Sequence, residues 1–186
     1  SGSQETQILD LICLHLEDID TSQFIVFDVK FATAEYLKEK NPGLRLAPSV
    51  AHPYDIERYN GAVGGTLYSL DEVLANRKLF DWVWLDEWDT AGEGGREKTF
   101  YNEETFRRLR EARLKIALVT PELHASSPGL LGGEAHPDAK DHETLMRRIK
   151  QILALGPDAA CTDYPDAVRA MINARSSLQK AAGAHP

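Results

Sequence analysis

Basic residues are scarce and scattered in this sequence. Twenty-one Lys and Arg stand against 29 Asp and Glu, leaving a formal net charge of −8 over 186 residues. With no Lys/Arg cluster to displace counterions from phosphates, a nucleic-acid surface is excluded. Long apolar runs are missing too: stretches such as Phe24-Ile25-Val26-Phe27 have strand length, far short of the roughly 18 residues a membrane-spanning helix needs. No transmembrane segment is therefore expected. There are only two cysteines, Cys13 and Cys161, each in an apolar neighbourhood. That favours two small buried hydrophobes over a disulfide, and a cytoplasmic location. The glycines form no nucleotide fingerprint after the first strand, and Gly61-Ala62-Val63-Gly64-Gly65 lacks the Lys and Ser/Thr of a phosphate-binding loop, so a turn is expected there.

What is present is ordinary for one globular core: 42% hydrophobic and 27% charged residues. Ser1-Gly2-Ser3 reads as a vector-derived remnant, residues 4–175 as a single α/β domain and residues 176–186 as a frayed tail. Apolar residues recur at three- and four-residue steps over 5–19, the period of a helix with one buried face. Five short β-branched or aromatic runs follow at 23–29, 44–50, 82–88, 115–120 and 159–162. Helical segments are expected at 33–39, from Ser69 with Glu72 completing a capping box, at 103–113 behind Asn102, at 142–155 ended by Gly156-Pro157, and at 164–173. Strands alternating with helices signify parallel βα units, because parallel neighbours need crossover connections. Polar residues gather after each strand, as in a TIM barrel, but five strands make only a partial barrel. A second copy of the chain or a partner domain is the expected complement, covering sheet edges that would otherwise stay open.

In a barrel the loops after the strands converge on one rim, so residues distant in sequence can meet there. That rim would gather Asp28 and Lys30; Ser49, His52 and Tyr54; Asp86, Glu87 and Asp89; Thr120, Glu122 and His124; and Asp163. Carboxylates and imidazoles suit general acid–base work, or a divalent cation, Mg²⁺ or Ca²⁺, held by oxygen ligands. Asp86, Glu122 and His124 are the expected catalytic groups, with Lys30, His52, Asp28 and Asp163 contacting substrate. Each has a plainer role open to it. Asp28 and Asp163 are also natural N-caps, His52 and His124 lack metal-site spacing, and adjacent Asp86 and Glu87 must face opposite sides of a strand. Of the three tryptophans in the third strand, Trp82 and Trp84 are expected in the core, and the glycine runs at 92–95 and 129–133 as rim loops or linkers.

The segment Gly156-Pro157-Asp158-Ala159-Ala160-Cys161-Thr162-Asp163-Tyr164-Pro165 resembles the closing G-x-D-x-x-x-T-D-x-P strand of the glycerophosphodiester phosphodiesterase family. Phe27-Asp28 is similar to that family's S-F-D strand end, and residues 115–122 fall where it carries its penultimate strand. The resemblance implies the C-terminal half of a phosphodiesterase-like TIM barrel, hydrolysing a small phosphodiester. The family's His-Arg pair, Glu-x-Asp metal ligands and second histidine have no counterpart in this sequence, and Val119-Thr120-Pro121-Glu122 replaces its Trp-Thr-x-Asn. The expected function is thus a phosphodiesterase-like hydrolase domain or a catalytically incomplete remnant of one. The alternative is a non-catalytic interaction or oligomerisation module built from a half barrel. A third reading, another hydrolase or lyase on barrel units, would use Glu122 with His124 as its acid–base pair.

Overall fold

The computed structural model describes residues 4–21, 24–63, 66–87, 96, 98–121 and 141–182. Helix α1 (Gln4–Leu16) leads into β1 (Val26–Phe27), α2 (Phe31–Lys40), β2 (Leu46–Ala47) and β3 (Ser49–Ala51). Then come α3 (Pro53–Val63), α4 (Leu70–Ala75), a 3-10 turn (Arg77–Leu79), β4 (Trp82–Asp86), α5 (Glu103–Glu111), β5 (Lys115–Val119), α6 (His142–Ala154), β6 (Ala159–Cys161) and α7 (Pro165–Ala182).

All strand pairs are parallel, in a two-stranded sheet β1-β2 and a four-stranded sheet β3-β4-β5-β6. Only Pro48 separates β2 from β3. It has no N–H for a ladder, yet its carbonyl accepts from Trp84 N–H at 3.0 Å, so the two pieces run on as one broken strand beside β4. Spatial order therefore follows chain order. A parallel sheet wound in one direction with right-handed crossovers carries its helices on one face, the α/β arrangement of a partial barrel.

Alternation along the strands sorts the core accordingly. Leu46, Val50, Val83, Leu85, Ile116 and Leu118 pack with Ala34 and Leu37 of α2, Val73 of α4, Phe106 and Leu109 of α5 and Ile152 of α6. Their neighbours along the strands, Ala47, Trp82 and Ala117, cluster on the other face with the partly covered Ile25, Trp84 and Ala159, and no residue of a described helix joins them.

Local signals explain most element ends. Ser69 and Glu72 form the reciprocal capping box, Asn102 and Asp141 accept from the N–H groups of Thr105 and Thr144, and Gly156 takes φ 76° just past the C-cap of α6, a conformation open to glycine. Four expectations need correcting. Residues 44–50 are two strand pieces rather than one, because of Pro48. Gly61 belongs to α3, a helix started by Pro53 at its first position, and not to a turn. The last helix continues to Ala182 rather than stopping near residue 173. Cys161 is exposed and Cys13 half-buried, both as free thiols, because Cys161 lies on the helix-free face at the sheet's edge.

Candidate active site

The strand ends after β1 and β4 bring two carboxylates into electrostatic reach. Asp86 closes β4 on the same face as Trp84 and Trp82, since residues two apart share a face. It is half-buried, and burial is the main reason its carboxyl is pushed from the usual 3.8 up to about 7. The charge of Asp28 pushes in the same direction, while a hydrogen bond from the Trp84 indole partly offsets both.

Asp28 is held there by an unusual backbone. Its φ is 58°, the left-handed region that Asp tolerates better than most residues, and its Oδ1 accepts from Thr66 Oγ1 at 2.6 Å. It is not the cap of α2. That position falls to the exposed Lys30, whose side chain makes no cap hydrogen bond. Next to the pair, Tyr59 of α3 has its hydroxyl pushed up, first by burial and then by the charges of Asp28 and Asp86. Below them the ring of Phe27 stacks on Trp84 with centroids 4.6 Å apart.

Glu87, one residue on, faces the helices. It is buried and accepts from the backbone N–H groups of Phe100 and Tyr101, the latter at 3.0 Å, and from Arg148 of α6 at 2.6 Å. Tyr101 adds a staple, its hydroxyl 2.9 Å from the Leu85 carbonyl oxygen and 2.8 Å from that of Val119. With Lys98 buried against Asp55 at 2.8 Å, these bonds anchor the chain that leaves β4. Glu87 is thus a framework group and Asp86 faces the rim.

The other expected residues are placed as follows. His52 is the N-cap of α3, its Nδ1 accepting from Tyr54 N–H at 3.1 Å, which leaves only Nε2 for a ligand. Asp163 is exposed at the far edge, where Thr162 rather than Asp163 accepts from Tyr164 N–H. Glu122, His124, Trp88, Asp89 and the glycine runs at 92–95 and 129–133 lie outside the described residues. Sequence reasoning missed Tyr59, Thr66 and the role of Trp84. The Trp84–Asp86 spacing was the one available signal; the others depend on which helix crosses which strand end.

Among the described residues no group of three His, Cys, Asp or Glu side chains could hold a metal ion. Two carboxylates, one of them favouring its proton, fall short of the six or more oxygens a hard cation takes. The described residues therefore do not fit a Mg²⁺ or Ca²⁺ site by themselves.

No family model matches the sequence, and no curated protein matches it. Among solved structures, the chain is similar to a glycerophosphoryl diester phosphodiesterase from Parabacteroides distasonis, with 15% identity and a TM-score of 0.45. The match covers 94% of this chain and 48% of that one, so the chain spans about half the length of that protein. No described helix is long and apolar enough to cross a membrane.

Proposed function

We propose that the chain is a phosphodiesterase-like hydrolase domain in which Asp86 and Asp28 form the acid–base pair. The observation that carries this reading is Asp86 itself, a carboxyl at a strand's C-terminal end whose pKa of about 7 lets it hold a proton at neutral pH. In hydrolysis Asp86 gives that proton to the leaving oxygen as its bond to phosphorus breaks. Asp28 takes a proton from the water that attacks phosphorus, and the two carboxyls exchange states over the turnover. Lys30 and the start of α2, which no side chain caps, offer positive potential to the phosphate. His52 Nε2 and Asp163 are the further candidates for substrate contact, and Glu122 and His124 for catalysis.

The test is turnover of bis-p-nitrophenyl phosphate across pH 5–9. The expected kcat/KM falls above about pH 7 as Asp86 loses its proton, and Asp86→Asn lowers it about 100-fold or more. Full activity in Asp86→Asn, or no turnover by the unaltered chain, overturns the proposal.

A further inference from the structure

Apolar surface is spread unevenly. Of the eight large apolar side chains exposed among the described residues, seven lie between Ile8 and Phe27; the eighth is Ile172 on α7. Helix α1 is the source of most of them. It turns Leu9, Cys13 and Leu16 toward the core, and it carries a second stripe, Ile8, Leu11 and Ile12 at i, i+3 and i+4, that is 53%, 56% and 41% exposed. The stripe is continuous with Phe27 through a cavity of about 230 Å³ between α1, β1 and α2, lined by Leu9, Ile12, Val26 and Leu37 together with the charged Glu5, Asp28 and Lys30. Ile8, Leu11, Ile12 and Phe27, each roughly half exposed, amount to on the order of 350 Å² of apolar surface, the size of a small docking patch for one helix and short of the roughly 800 Å² each partner gives to a standard interface.

The charge around this surface selects its occupant. Residues 1–29 contain six carboxylates, Glu5, Asp10, Glu17, Asp18, Asp20 and Asp28, and no Lys or Arg; with Lys30 lining the cavity and Lys40 near Cys13, carboxylates still predominate around this face. A second copy of α1 would set carboxylates against carboxylates, and an anionic membrane would be repelled in the same way.

We propose that the α1–β1 face is a docking surface for a partner's amphipathic helix, whose apolar stripe covers Ile8, Leu11 and Ile12 and whose flanking Lys and Arg meet the surrounding carboxylates. One apolar side chain of that helix enters the cavity beside Phe27, giving the interface a central anchor. The cavity shares Asp28 and Lys30 with the proposed acid–base site, but peptide binding is read without turnover, so the failure of one proposal is distinguishable from the failure of the other.

The probe is a 14-residue amphipathic Leu/Lys helix, titrated against the full chain by fluorescence anisotropy. Its controls are the Leu/Glu analogue and a Leu/Lys peptide of the same composition with no apolar face. The expected result is binding of the amphipathic Leu/Lys peptide at least tenfold tighter than either control, and weaker as salt rises. In the doubly altered Ile8→Gln/Leu11→Gln chain it drops by about tenfold. Both side chains are more than half exposed, so this variant keeps its fold, which its circular dichroism and Tm would check. Equal binding of the three peptides, or unchanged binding by the variant, overturns the proposal. So does a concentration-dependent dimer of the chain alone that Ile8→Gln/Leu11→Gln dissolves, or binding to phosphatidylserine vesicles in place of the peptide.

Discussion

The two faces of the same sheet treat neighbouring carboxylates in opposite ways. On the helix-covered face Glu87 is buried and fully engaged, with two backbone N–H groups and the Arg148 guanidinium on its oxygens. On the other face Asp86 is half-buried with one indole donor and the like charge of Asp28 nearby. Burial opposes a charge in both places; hydrogen bonds and a counter-charge can outweigh that cost, and where they are few the neutral form is favoured. Adjacent residues of similar chemistry thus become a structural strut and a proton-holding acid.

The contrast is sharpest if Glu87 is disarmed. Glu87→Ala strands two buried N–H groups and the Arg148 charge, and should cost about 3–5 kcal/mol, seen as a large drop in the urea midpoint. A loss under about 1 kcal/mol would mean the covered face does not depend on this bond set.

Asp86→Asn should do the reverse. Because the folded pKa lies above the unfolded one, Asp86 contributes full stability below about pH 4, and that contribution is lost as pH rises toward about 7. The neutral Asn avoids the loss, so at pH 8 the variant should be more stable by roughly 1–3 kcal/mol, and by nearly nothing at pH 4. Equal stability of the two chains at both pH values would erase the distinction between the faces.

Smaller effects probe the edges. Gly61 sits within α3 with nothing inside 4 Å of an added Cβ, so Gly61→Ala should raise stability by about 0.5–1 kcal/mol, readable as a rise in Tm. Of the two thiols, Cys161 is exposed on the helix-free face, whereas Cys13 is half-buried and its thiol is pushed up by burial and then by Asp10. A disulfide reagent at pH 8 should therefore modify Cys161 about tenfold faster. Equal rates would mean that α1 does not hold Cys13 against the core.

Much of the covered face was legible in the sequence, because it is written in local rules. The capping box at Ser69, the Asn102 cap, the Gly156 stop and the alternation in residues 82–86 each act within a few residues. The site at the strand ends was harder to read. Pro53 and Asn60-Gly61 look like breakers, so α3 and with it Tyr59 went unseen, although Pro is favoured at a helix's first position. Trp84 does pack against the Ala47, Trp82 and Ala117 cluster, as an aromatic on a strand usually does, but its indole also bonds Asp86, which the strand pattern alone does not announce. The meeting of Asp28 and Asp86 follows from β2 and β3 lying between their strands, which no local pattern encodes.

The central claim is that Asp86 keeps its proton near neutrality because it is desolvated beside Asp28. Carbon-13 NMR titration of the aspartate side-chain carboxyls reads this directly. The account predicts a midpoint for Asp86 at about 7, moving down in Asp28→Asn as the like charge is removed. A midpoint in the ordinary carboxylate range near 4, or one that ignores Asp28→Asn, would contradict it.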